Sequence, residues 1–273
     1  MSIKSDYHIH SHHSADSEEL MENHIKKAIE LGFNELCFTE HHDIDFHGLT
    51  PADDDSFSLN TDSYLYELLL LRNKYADQIK VHFGVELGIQ PHLRRELAVY
   101  AKSYDFDYII GSVHMLNKKD PYYRKELFND LTDEELYTAY FKELYEGLKV
   151  FSNFDVLGHL DYIVRYGYNK DAEYSYEKYK DLIDPILEFL IENEKGLEIN
   201  TNGLRAGMSQ PNPCGDILKK YRSMGGEIIT IGSDAHDATS LGYKFDVAEN
   251  ILKECGFKYY TTFEKRVAEY HKL

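Results

Sequence analysis

Short runs of β-branched, aliphatic and aromatic residues alternate along the chain with longer stretches in which apolar residues recur every three or four positions. The runs fall at residues 6–10, 35–39, 80–87, 107–113, 155–159, 197–200 and 227–233, and each predicts a strand. A further run, 258–262, reads as a short eighth strand or a closing segment. Between the runs the period is helical. The first helix carries Glu18 and Glu19 in its opening turn, sets Met21, Ile25, Ala28 and Ile29 on one face, and stops at Gly32. Another opens with the capping box Thr132–Glu135 and continues with Tyr137, Phe141, Leu144 and Leu148 at helical spacing. A late one puts Val247, Ile251 and Cys255 on a stripe before Gly256. Repeated strand–helix alternation requires parallel pairing through right-handed crossovers. Seven such units with no Gly/Ser-rich linker predict an α/β barrel, one domain over residues 1–273.

The segments that follow the strands are long (42–60, 115–131, 162–174 and 201–212), whereas those returning from helix to strand are short. In an α/β barrel the long loops after the strands build the active face. Composition narrows the class. With 42% hydrophobic residues the chain buries a core, which excludes disorder. Thirty basic against 48 acidic residues leave a net charge of −18, which repels phosphate backbones and argues against a nucleic-acid binder. No window approaches the length of an apolar membrane span, and the N-terminal residues have no signal-peptide core. Cys37, Cys214 and Cys255 form no CxxC, which fits a reducing cytoplasm. Nothing in the sequence bears on oligomeric state.

Fourteen histidines change the picture. The strand ends read His8-Ile-His10, Thr39-Glu-His41-His42-Asp43, Gly-Val-Glu86, Ser-Val-His114, Gly-His159-Leu-Asp161 and Ser-Asp234-Ala-His236. Residues i and i+2 of a strand share a face, so His8 and His10 both aim into the barrel mouth, as do Asp234 and His236 if extended geometry persists there. Adding Asp16 from the loop after His10, the set His8, His10, Asp16, His41, Glu86, His114, His159, Asp234 and His236 exceeds one tetrahedral site. It predicts two or three divalent ions, with Glu86 as a bridge. Imidazole and carboxylate without thiolate suit zinc, manganese or iron(II) alike. Gathering these groups without a cation would be costly. His24, His47, His82, His92 and His271 read instead as structural or surface groups.

Taken in order, these motifs resemble the PHP (polymerase and histidinol phosphatase) superfamily over nearly the whole chain. The stretches Ser11-His12-His13-Ser14-Ala15-Asp16-Ser17, Glu40-His41-His42-Asp43 and Asn200-Thr-Asn-Gly-Leu-Arg205 look like its stand-alone histidinol-phosphate phosphatase branch. The resemblance implies a distorted TIM-like (β/α)7 barrel with a trinuclear centre. It implies His8, His10, Glu86 and Asp234 on one ion, Glu86, His114 and His159 on a second, and Asp16, His41 and His236 on a third. Asp16 stands where many members have histidine.

Several ions facing one cavity imply phosphate-ester hydrolysis by a metal-bound hydroxide. Arg165 and Arg205, in loops after the fifth and sixth strands, are the expected phosphate clamp, since a guanidinium fork matches phosphate oxygens. Lys118, Lys119, Arg124 and Lys244 read as solvated. His42, beside a proposed ligand, is the expected proton donor and substrate contact, with Asp161 as second choice or as a group orienting a liganding histidine. The expected substrate is a small phosphate ester, L-histidinol phosphate. Its cationic end would suit carboxylates such as Asp43, Asp45 or Asp53–Asp55. The competing substrates are nucleotides, oligonucleotides and phosphotyrosine. An amidohydrolase would want a lysine where this chain has His114, and a vestigial metal-binding protein would have lost catalytic-type positions.

Overall fold

The computed structural model describes residues 2–47, 54–123 and 125–273. Arg124 and Asp53, considered above, lie outside them. Seven parallel strands pair in sequence order: β1 (Ser5–Asp6), β2 (Glu35–His42), β3 (Lys80–Gly88), β4 (Tyr108–Ser112), β5 (Val156–Leu157), β6 (Gly196–Asn200) and β7 (Ile229–Gly232). The ring closes between first and last. Tyr7 N donates to Ile231 O (3.1 Å), Asp234 N to His8 O (2.8 Å) and His10 N to Ala235 O (2.9 Å). This is the distorted TIM-like barrel expected. Its helices are α1 (Met21–Leu31), α2 (Thr61–Lys74), α3 (Arg94–Tyr100), α4 (Asp133–Val150), α5 (Tyr176–Glu192), the single turn α6 (Asn202–Arg205), α7 (Gly215–Ser223) and α8 (Phe245–Glu254). No helix among the described residues is long and apolar enough to cross a membrane.

Strand alternation divides the barrel into layers. Outward residues such as Leu36, Phe38, Val81, Phe83, Val85, Ile109, Leu197, Ile199 and Ile231 pack beneath the helices in the main core. Inward residues at the start of the strands (Tyr7, Cys37, Tyr108, Ile110 and Val156) form a second apolar cluster with Phe263. Further along the same strands the inward positions turn polar or shrink to glycine. A Cβ on Gly232 would strike the Glu198 carboxylate and the His8 side chain, so glycine is what lets those two groups meet.

The segment read as a possible eighth strand does not join the barrel. β8 (Tyr259–Glu264) pairs antiparallel with β9 (Val267–Lys272), and this hairpin delivers Phe263 to the barrel base. Two helix details also differ from expectation. Glu18 and Glu19 precede α1, whose first-turn acid is Glu22, although Gly32 ends the helix at φ +70° as its lack of a side chain permits. In α8 the buried face is Phe245, Ala248, Glu249 and Leu252, leaving Val247 and Ile251 half-buried. The Thr132/Glu135 capping box opens α4 as expected.

Candidate metal centre and phosphate pocket

Glu86, at the inward end of β3, is fully buried, and five imidazoles surround it, His10 the most distant with Nε2 3.6 Å from Oε2. Its Oε2 lies 3.1 Å from His8 Nε2 and 3.0 Å from His41 Nδ1. Its Oε1 lies 3.1 Å from His114 Nε2 and 3.0 Å from His159 Nε2, and accepts a hydrogen bond from Ser112 Oγ (2.6 Å). Asp234 Oδ1 lies 3.4 Å from His10 Nε2 and 3.8 Å from His8 Nε2. Asp16 Oδ2 lies 3.1 Å from His236 Nε2 and 3.6 Å from His41 Nε2. All nine side chains singled out by sequence therefore come together.

Proximity alone does not satisfy them. His8 Nε2, His10 Nε2, His41 Nδ1 and Glu86 Oε2 are buried and make no hydrogen bond, although they face one another at close range. Buried polar atoms normally find partners. Lone pairs aimed at common centres rather than along donor axes are what a cation-binding set presents. At this centre four triads of the described residues have their ligand atoms within 4.8 Å of one another: His8/His10/Asp234, His8/Glu86/His159, His41/Glu86/His114 and His10/His41/His236.

The electrostatics agree. Burial opposes charge on His8, His41 and His114, yet the adjacent carboxylates outweigh it and raise all three, His41 to about 9. Burial would likewise push Glu86, Asp234 and Asp16 up, but the surrounding imidazoles hold each well below the usual carboxylate range. Burial together with neighbouring imidazoles lowers His10. Without a cation the cluster must take protons to balance its carboxylates. Divalent ions would take their place, so the donor set fits them.

Above this floor lies a cavity of about 450 Å³. It is lined by His41, His159, Asp234, His236, Arg165 and Arg205 and by Asp43, Asp120, Phe46, Phe57, Tyr122 and Tyr123. Arg165 is buried. Its Nε donates to Asn212 Oδ1 (2.8 Å) and its Nη2 to Asn200 Oδ1 (3.1 Å), while Nη1 stands 3.5 Å from Asp234 Oδ2. Arg205 sits at the rim, held by Asn202 Oδ1 (2.9 Å) and Ser240 Oγ (2.6 Å).

The structure does not bring His42 into this cavity. β2 stays extended through His42, so alternation that points His41 inward points His42 outward. Its ring stacks on Tyr100 at 3.8 Å, its Nδ1 accepts from Leu59 N, and burial lowers it to about 4. Asp161 does not orient a histidine. Its carboxylate accepts from Asn212 Nδ2 (2.6 Å) and Cys214 N (3.0 Å), and so steadies the amide that holds Arg165. Asp45 is engaged outside the cavity by His92 (2.7 Å) and Lys118 (2.9 Å), and Asp55 is exposed in a turn. Asp43 does reach the site, where His114 Nδ1 is 3.0 Å away.

Sequence reasoning missed four groups. Glu198 Oε1 lies 2.6 Å from His8 Nδ1, and its Oε2 accepts from His159 N (2.9 Å). Glu40 takes Ser11 N and Ser14 Oγ and so pins the loop after His10. Asn212 holds Arg165, and Asp120 lines the cavity with burial raising it to about 6. Strand parity would have flagged Glu198, two residues before Asn200 on the inward face. The other three depend on loop contacts.

A profile of the PHP domain matches residues 6–202. The chain belongs to the PHP domain family. Among PHP relatives, a histidinol-phosphatase of Lactococcus lactis subsp. lactis (strain IL1403) is 35% identical over 260 residues, 95% of this chain and 94% of that protein. A probable histidinol-phosphatase of Thermotoga maritima is 31% identical over 265 residues, covering 96% and 97%. Among solved structures, the histidinol phosphate phosphatase of Lactococcus lactis, crystallised with zinc, L-histidinol and phosphate, superposes with a TM-score of 0.87 at 34% identity, over 97% of this chain and 98% of that one. A putative histidinol phosphatase of Listeria monocytogenes shares the PHP fold at a TM-score of 0.76 and 19% identity, over 89% of this chain and 99% of that one.

Proposed function

We infer that the protein is a metal-dependent phosphomonoesterase that hydrolyses L-histidinol phosphate to L-histidinol and phosphate, the histidinol-phosphatase reaction of histidine biosynthesis. The observation that carries this reading is the Glu86-centred floor of unpartnered imidazole and carboxylate atoms opening into a cavity walled by Arg165. Full-length similarity to a relative solved with zinc, L-histidinol and phosphate supports the substrate. The cavity volume suits a small molecule. We propose one catalytic domain over residues 1–273, acting in the cytoplasm.

In this reading His8, His10, Glu86 and Asp234 hold one ion, Glu86, His114 and His159 a second, and Asp16, His41 and His236 a third. Divalent cations bound there supply Lewis acidity and a water-derived nucleophile at neutral pH. The protein's own groups do the rest. Arg165, preset by Asn200 and Asn212, meets the non-bridging phosphate oxygens without reorganising. Arg205 closes the rim. Asp120 and the rings of Tyr122, Tyr123, Phe46 and Phe57 receive the cationic end of the substrate, a carboxylate among aromatic faces being a favourable wall for ammonium or imidazolium. His42 takes no part in proton transfer, and the departing alkoxide is protonated from water in the cavity.

The test is phosphate release by the metal-analysed protein from L-histidinol phosphate, a nucleotide, a phosphotyrosine peptide and an aryl phosphate. Marked preference for histidinol phosphate, lost on chelation, supports the assignment. Equal rates on all four discard the substrate and keep the chemistry, and no turnover with metal bound overturns both.

A further inference from the structure

Outside the cavity, the loop after β1 and helix α2 bring together His12, His13 and Glu67. His12 Nε2 and His13 Nε2 approach the same oxygen, Glu67 Oε2, at 3.2 and 3.0 Å. The three ligand atoms lie within 4.8 Å of one another, and none of these residues lines the cavity. We propose that they form a separate binding site for one borderline divalent cation of the zinc type.

Three features carry the proposal. Only His13 stands in hydrogen-bonding geometry to Glu67, so a simple hydrogen bond accounts for one imidazole and leaves the convergence of His12 unexplained. Ligands at about 2.0 Å from a tetrahedral ion stand about 3.3 Å from one another, close to the separations found here. Finally, the side chains of His12 and Glu67 are each about one-third exposed while that of His13 is 9% exposed, which leaves an open coordination position towards solvent. Two imidazoles and one carboxylate favour zinc over calcium or magnesium, which prefer all-oxygen sites. Glu67 lies on α2 and the histidines lie between His10 and Asp16, so an ion here would tie the loop bearing Asp16 to that helix.

The experiment is calorimetric titration of Zn²⁺ into the enzyme already saturated at its central site, comparing the parent protein with His12→Ala and Glu67→Gln. Both altered side chains are partly exposed, and central metal content and circular dichroism of each variant establish that fold and centre are intact. The expected result is one further ion bound per parent chain, with a Zn²⁺-dependent rise in Tm, both lost in each variant. Absence of that additional event in the parent, or its persistence in either variant, overturns the proposal. Because the readout is binding, it is independent of which ester the enzyme hydrolyses.

Discussion

The two ends of the barrel are lined by the same strands and have opposite chemistry. At the base Tyr7, Cys37, Tyr108, Ile110 and Val156 close on Phe263 in an apolar plug, with Tyr108 and Phe263 stacked at 5.2 Å. A few residues further along, the inward positions become His41, Glu86, Ser112, Glu198 and Asn200, and His41 Nδ1 and Glu86 Oε2 make no hydrogen bond among the described residues. Both layers are largely buried, so the difference lies in what each does with burial. The base gains about 25 cal/mol for each Å² of apolar surface removed from water. The mouth holds charges in place at an energetic cost that bound cations would offset. Stability and chemistry are thus separated along one axis, and each end is open to independent perturbation.

The largest effect should come from the mouth. Arg165→Met should lower kcat/KM for L-histidinol phosphate about a hundred- to a thousandfold, the usual loss when a preorganised charge-stabilising donor is removed. Metal content measured alongside should hold, and parallel loss of metal would show that Arg165 supports the centre rather than the phosphate. At the base, Phe263→Ala should cost about 3–5 kcal/mol in denaturant unfolding while kcat of the folded fraction stays at the parent value. A fall in kcat there would mean that the two ends are coupled. Glu198→Gln keeps the shape beside His8 Nδ1 and removes the charge. It should weaken metal binding about 10- to 100-fold by equilibrium dialysis against a chelator, with little change in Tm of the metal-loaded enzyme.

The smallest effect concerns pH. His24 lies on the buried face of α1, its Nε2 3.1 Å from His10 O, and burial lowers it from 6.5 to about 4. The folded chain therefore holds it neutral. As pH falls from about 6.5 towards 4 the unfolded chain takes up the proton first, and stability drops by up to about 3 kcal/mol. His24→Gln should flatten this acid limb relative to the parent when unfolding is followed at pH 7 and pH 5. An unchanged slope would assign the limb to the mouth instead.

Much of the mouth was legible because strand parity and strand ends are written in short motifs. His8-x-His10 flanks the bridge residue Ile9 and follows the two-residue period of a strand. By contrast, β7 ends at Gly232 and Asp234 stands at φ +54°, so extended geometry does not persist through Asp234-x-His236 and that pair converges by another backbone path. The two-residue period also accounts for the misplacement of His42. Adjacency to His41 was read as proximity to the metals, whereas consecutive residues of a strand face opposite ways, and β2 runs two residues beyond the Thr39 of the sequence reading before reaching His41 and a third to His42. Asn212 and Asp120 could not be read at all, since loops from different strands place them and no local period records that. The plug was missed for a related reason. The run at 258–262 has the composition of a strand, but whether it joins the barrel or folds back on β9 depends on the ring already having closed between β1 and β7.

That closure has a consequence for synthesis. Ribosomes release the His8–His10 pair before Asp234–His236, and the hydrogen bonds from His10 N to Ala235 O and from Asp234 N to His8 O join these two segments. A nascent chain stopped after β6 would carry most of the imidazoles but lack the aspartate between His8 and His10. Of the proposed ligand sets, that of His8, His10, Glu86 and Asp234 is therefore completed only once β7 has emerged, whereas Glu86, His114 and His159 are all in place before β6.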